Sequence, residues 1–215
     1  MRVLCCAYRQ WGKDITRDLA HKYDVELIGS REEYSVEYIK ELDPDVILFL
    51  GWSWHIENEI IDNYLCLCLH PSPLPRYRGG SPIQHQILNG EDESAVSVFK
   101  MTKERDAGPL CIQESFPLEG SMREILERIY HVGVMELTRI LDGYPDIEFW
   151  DQVGEPTLYI RRQPWDSEIT ADEIERSSAR QLHDKIRALQ SPYPNAFIEC
   201  GDGSRLYITD SHLGG

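Results

Sequence analysis

Asp45-Val-Ile-Leu-Phe-Leu50 is apolar at every position after its aspartate. A strand with one face in water alternates apolar and polar residues, so a run of this kind must be covered on both faces, the environment of a parallel strand in an open α/β sheet. Arg2 to Ala7 and Leu65 to His70 have the same character, and Asp24-Val-Glu-Leu-Ile28, ended by Gly29-Ser30, is a further strand. A helix-like stretch follows Gly12 and reaches about Lys22. Ser35 to Leu42 carries Val36, Ile39 and Leu42 at helical spacing before Asp43-Pro44 stops it. Strand, helix, strand, helix, strand predicts an α/β fold with a Rossmann-like, doubly wound, mostly parallel sheet.

In the second half, Ser81-Pro82 to Asn89 predicts a helix with serine at the cap and proline at its first position. Ser94 to Lys100 is a strand, and Met101 to Gly108 is a polar loop before the apolar run Leu110-Cys-Ile112. Ser121-Met-Arg-Glu124 is a capping box that opens a long helix with Ile125, Ile129, Leu137 and Ile140 among its apolar positions. Gly143 to Pro164 has the look of irregular connection. A second capping box, Ser178-Ala-Arg-Gln181, opens a helix with Leu182, Ile186 and Leu189 on one face. Ala196 to Cys200 and Leu206 to Asp210, joined by Gly201-Asp-Gly203, make a hairpin. The expected organisation is an α/β catalytic domain over residues 1–160 and a small C-terminal extension, helix and hairpin, over 161–215; a chain of 215 residues is long enough for both.

Charge and cysteine usage narrow the partners. With 37 acidic residues against 22 Lys and Arg, the net charge is -15, a poor basis for gripping the phosphates of a large RNA. Any nucleotide bound is expected to be small. No apolar run approaches the length needed to span a bilayer, and the first strand begins at Arg2 with no leader pattern before it, so the expectation is a cytoplasmic protein without membrane partners. The six cysteines form no Cys-x-x-Cys pair and mostly lie in apolar company, as reduced and buried thiols do. Cys66, Cys68 and His70 share a face of one strand, but about 6.6 Å separates successive same-face positions, too far to enclose one metal easily. The turn after the first strand, Tyr8-Arg9-Gln10-Trp11-Gly12, lacks G-x-G-x-x-G and so gives no support to a dinucleotide cofactor.

The most specific stretch is Cys68-Leu-His-Pro-Ser-Pro-Leu-Pro-Arg-Tyr-Arg-Gly-Gly-Ser-Pro-Ile-Gln84. It sets a histidine at the carboxyl end of a central strand, the edge where open α/β sheets bind ligands, and follows it with a proline-punctuated loop. These residues resemble the folate-dependent formyltransferases, whose hallmark is Asn-x-His-Pro-Ser-x-Leu-Pro followed by Tyr-Arg-Gly-x-x-Pro-Ile-Gln. The resemblance implies a Rossmann-like fold and 10-formyltetrahydrofolate as co-substrate. It also implies that asparagine, histidine and aspartate divide the catalytic work. His70 and Asp106 match two of the three. His70 would accept the proton of the attacking amine or, when protonated, donate to the oxyanion, and Asp106 would orient it and favour its charged form. Cys68 stands where the family has asparagine, and a thiol is a weak donor. A substitute would come from protonated His70, Gln84, His85 or an ordered water. A nucleophilic Cys68 is the alternative.

The resemblance further places the pterin ring against Trp54, His55 and Ile56, with Met101 and Asp106 completing that pocket. The acceptor would lie along Ser72, Tyr77, Arg78, Gly79, Gly80 and Gln84, with help from Tyr193; there the glycines would let backbone approach the ligand and Arg78 would pair with phosphate. The tail is similar to the short extension of sugar-nucleotide formyltransferases, so the expected acceptor is the amino group of a nucleotide-linked amino sugar. Methionyl-tRNA formyltransferase shares the Tyr-Arg-Gly segment, but this chain is short and acidic for its tRNA-binding domain. A glycinamide ribonucleotide-like acceptor, a folate deformylase and a binding module without turnover are the other readings. A homodimer is left open.

Overall fold

The computed structural model describes residues 1–214. Strands β1 (Arg2–Cys6), β2 (Asp24–Ile28), β3 (Val46–Leu50) and β4 (Leu65–His70) are joined by helices α1 (Gln10–Leu19), α2 (Val36–Leu42) and α3 (Asn58–Asn63). A two-residue strand β5 (Arg78–Gly79) and helix α4 (Pro82–Leu88) lead to β6 (Glu93–Lys100), β7 (Leu110–Pro117) and the long α5 (Met122–Asp142). Then come β8 (Leu158–Tyr159), helices α6 (Ala171–Arg176) and α7 (Ala179–Ala188), and the hairpin β9 (Ala196–Glu199) with β10 (Arg205–Ile208). The main sheet runs β2-β1-β3-β4-β6-β7. Its first four strands are parallel, while β6 and β7 are antiparallel to their neighbours. The sheet is thus α/β and Rossmann-like, as the alternation of elements required.

Alternate residues of the apolar strands go to opposite faces. Val3, Cys5, Val46, Leu48 and Leu67 pack with Ile15 of α1 and Ile129 and Leu137 of α5. Leu4, Cys6, Ile47, Phe49 and Cys66 pack with Ile39 of α2 and Ile60 of α3. All six cysteines are free thiols. Because β1 leads to β2 on one side and β3 leads to β4 on the other, the carboxyl ends of β1 and β3 diverge and open a crevice. The capping boxes at Ser121 and Ser178 both form. Among the described residues no helix is long and apolar enough to cross a membrane.

Three expectations need correction. Ser81 does not cap α4 with its side chain: it sits in the left-handed region at φ 54, and its hydroxyl accepts from Arg162 N–H at 3.1 Å. Residues 143–164 are not wholly irregular, since β8 pairs in parallel with β5 and Trp150 bridges Leu110. Helices α3 and α6 are also additional: α3 buries one residue, Ile60, and α6 buries none, so neither carries a stripe that periodicity can detect. The extension is tied to the sheet domain by Arg187, which donates to Leu118 O at 2.6 Å, and by Gln190, which accepts from Met122 N–H at 3.0 Å.

Candidate active site

A cavity of about 610 Å³ opens at the carboxyl ends of β1, β3 and β4. His70 ends β4, pairs with Ser97 of β6 and is 7% exposed. Its Nε2 lies 2.8 Å from the carbonyl oxygen of Tyr77. A carbonyl only accepts, so Nε2 carries the proton, and in the neutral ring Nδ1 is left with a lone pair. Nδ1 is 3.9 Å from Asp106 Oδ2, too long for a hydrogen bond but close enough to stabilise an imidazolium once Nδ1 takes a proton. The geometry therefore leaves Nδ1 of a neutral His70 free to accept a proton. Asp106 makes no hydrogen bond that would orient the ring, while its expected part in favouring the charged form fits the 3.9 Å separation. The Tyr77 carbonyl holds the ring, while the Asp106 carboxylate accepts from Gly79 N–H at 2.7 Å and ties the β6–β7 loop to β5.

Tyr77 reaches this position in the left-handed region at φ 61. Its phenol donates to Glu91 at 2.7 Å, accepts from Asn89 at 3.1 Å and stacks on Tyr159 with centroids 5.1 Å apart. Ser72, fully buried, locks the same loop: its hydroxyl donates to Arg76 O at 2.9 Å and its carbonyl accepts from Ser97 Oγ. Arg78 donates to Gln152 Oε1 at 2.8 Å and pairs with Glu104 at 3.5 Å, and Gln152 in turn donates to the carbonyls of Asp106 and Gly108. Ser72, Tyr77 and Arg78 thus build the site from behind the cavity wall, and the expectation that Arg78 meets phosphate is corrected. Gly79 and Gly80 do line the cavity. Their lack of side chains is required by this chain itself, because a Cβ on Gly79 would lie 2.2 Å from Tyr159 O and one on Gly80 2.5 Å from Arg161 Cα.

Cys68 faces the cavity beside Phe99 and Met101. Burial, with the Asp106 carboxylate adding to it, pushes its thiol well above the ordinary value. At neutral pH it is neither a thiolate nucleophile nor a repelling anion. Of the side-chain donors weighed in place of asparagine, His85 is turned to Ile160 O at 3.0 Å and a neutral His70 gives its one N–H to Tyr77, which leaves Gln84, 4% exposed on the cavity wall, and the Nδ1–H of a protonated His70. Because a thiol adds little to an oxyanion hole, Cys68→Ala is expected to keep kcat within about threefold, and Cys68→Asn to keep or raise it, up to the roughly 100-fold that one good donor contributes. Alkylation by iodoacetamide should stay slow through pH 9, since little thiolate forms there. Loss of turnover in Cys68→Ala with folate affinity unchanged would refute this.

Trp54, His55, Ile56, Met101 and Asp106, expected around the pterin, line this one cavity, as do Gln84 and Tyr193. Trp54 packs between Trp52 and Tyr8 with centroids 4.7 Å away on each side. These flat walls suit a heteroaromatic ring. Sequence reasoning did not assign Arg9, Ser53, Lys103, Arg105 and Arg161, which also line the cavity. Arg161 lies in the stretch read as irregular connection. From the turn after β1, which lacks the dinucleotide fingerprint, Arg9 and Trp11 line the cleft.

The family model described as "Formyl transferase" matches residues 5–137. The methionyl-tRNA formyltransferase of Ehrlichia canis (strain Jake) is 31% identical over 176 residues, 80% of this chain and 55% of that protein. That of Rhizobium meliloti (strain 1021) is 32% identical over 81% of this chain and 58% of its own length. The chain spans little more than half the length of these relatives. Among solved structures, a methionyl-tRNA formyltransferase from Clostridium thermocellum is 30% identical with a TM-score of 0.89, covering 100% of this chain and 94% of that one. A 4-N formyltransferase from Francisella tularensis shares the fold at 17% identity and a TM-score of 0.81, over 100% of this chain and 98% of that chain. With its family match over residues 5–137 and a buried histidine set at the switch-point crevice, this chain belongs to the formyl transferase family.

Proposed function

We propose that the protein transfers a formyl group from 10-formyltetrahydrofolate to the amino group of a nucleotide-linked amino sugar. The folate supplies an activated formyl group on nitrogen, and the protein supplies the rest. Trp54, Ile56 and Met101 give the ring its apolar walls. His70 Nδ1 accepts a proton as the amine attacks, and Asp106 faces the resulting imidazolium. The observation that carries the acceptor class is the contrast between the cavity and the rest of the chain. Arg9, Lys103, Arg105 and Arg161 line the cavity with a single carboxylate, Asp106, whereas the whole chain is at -15. A small anionic acceptor is drawn into such a cleft, and a large polyanion is repelled by the remainder.

A second reading, formyl transfer to methionyl-tRNA, is favoured by the names of the relatives above. The two are separated by supplying 10-formyltetrahydrofolate with a panel of nucleotide-linked amino sugars and, in parallel, with charged initiator tRNA. The expected result is amine-dependent turnover with at least one sugar nucleotide and no measurable tRNA affinity at physiological salt. A tight, salt-sensitive tRNA complex with formylation of its methionine would overturn the sugar assignment. Release of formate without any amine would point to a deformylase.

A further inference from the structure

We propose that Arg9 and Arg161 form a subsite for the pyrophosphate of the acceptor, at the meeting of the turn after β1, the loop after β3 and the segment after β8. The proposal deepens the acceptor reading above and rests on it for the source of the phosphates. The existence of an oxyanion site there rests on the geometry alone.

Among the described residues neither arginine pairs with a carboxylate, although the chain holds 37 acidic residues. Both are held by neutral groups instead. Arg161 donates to Ser53 Oγ and, at 3.3 Å, to Tyr8 OH. Arg9 places its guanidinium carbon 4.8 Å from the Tyr8 ring centroid and 5.2 Å from that of Tyr193. Hydroxyls and ring faces position a guanidinium without cancelling its charge. The two therefore converge on Tyr8 as an uncompensated pair of planar, five-donor forks, the arrangement that suits a diphosphate. Lys103, by contrast, is tied to Asp62 at 2.9 Å.

Arg161 donates to Ser53, next to Trp54 of the loop assigned to the pterin, but its own backbone ties the pair to the acceptor side as well. The backbone of Arg161 lies against Gly80, close enough that a Cβ there would sit 2.5 Å from Arg161 Cα. Arg9 covers Tyr193, which shares the wall formed by Gly79 to Gln84. Lys103 and Arg105 occupy the Met101–Asp106 loop, on the side assigned to the pterin. A phosphate held between Arg9 and Arg161 would border a molecule lying along Gly80 and Gln84, and its assignment to the acceptor rests on the proposed function.

The test uses inorganic pyrophosphate and uridine diphosphate as probes, titrated calorimetrically into the full chain and into Arg9→Gln, Arg161→Gln and Arg161→Lys, with thermal midpoints recorded for each. Each glutamine variant is expected to weaken both probes by about tenfold or more, the size of one lost charge-assisted contact, and Arg161→Lys to keep part of the affinity. In turnover the glutamine variants should raise the acceptor KM by a similar factor, with kcat and the folate KM unchanged within about twofold. Unchanged probe affinity in both glutamine variants would overturn the proposal. So would a rise in folate KM, larger for polyglutamyl folate, with the acceptor KM unaffected, because the pair would then serve the folate carboxylates. If no sugar nucleotide is formylated but probe binding is still lost in both variants, the acceptor reading fails and the oxyanion site stands.

Discussion

His70→Ala is expected to lower kcat by about 10² to 10⁴ fold, the range typical of a positioned general base. The ring is buried at the end of β4, its Nε2–H is committed to Tyr77 O at 2.8 Å, and Nδ1 has no protein donor, so the lone pair that would take the amine proton is removed outright. Neither KM should change by more than a few fold, because proton acceptance develops only in the transition state. The lost Tyr77 contact should cost about 1 kcal/mol of stability, small enough for the variant to stay folded. Single-turnover rates with both substrates saturating, beside a thermal melt, make the check. Wild-type-like kcat in a folded His70→Ala protein would remove the histidine from the mechanism.

What the sequence disclosed about this site follows the range of the interactions. Val46 to Leu50 and Leu65 to His70 report burial on both faces through their own composition, so the parallel half of the sheet and the place of His70 were legible. The capping boxes at Ser121 and Ser178 are likewise local, with both partners three residues apart. The hallmark loop identified the chemistry but not how the loop is built. Arg78 finds Gln152, 74 residues away, and Gly79 is needed because Tyr159 crosses it; no pattern around residue 78 reveals either partner. The pairing of β5 with β8 has the same cause, two residues on each side and a separation of 80 in sequence. Arg9 and Arg161 went unassigned because a single arginine in a turn carries no signal until the fold brings a second one to it. In each of these cases the information lies in contacts between distant segments.

Asp106→Asn is expected to lower kcat by about 10² to 10³ fold while leaving the loop in place. The carboxylate has two separable functions: it accepts Gly79 N–H at 2.7 Å, and it lies 3.9 Å from His70 Nδ1. An asparagine side-chain oxygen can still accept from Gly79, so the tie between the β6–β7 loop and β5 survives. The charge does not. Unit charges 3.9 Å apart attract by about 4 kcal/mol at an effective dielectric of 20, and solvent reaching the partly open carboxylate reduces that to the 3 to 4 kcal/mol behind the expected loss. The attraction exists only after His70 has taken its proton, so it lowers the barrier without tightening either ground-state complex. Asp106→Ala removes both functions and should add a loss of stability and a rise in folate KM that Asp106→Asn does not show. Comparing the two variants by kcat, KM and melting temperature separates the charge from the tether. Near wild-type kcat in Asp106→Asn alongside a disabled Asp106→Ala would mean that the carboxylate serves only to hold the loop.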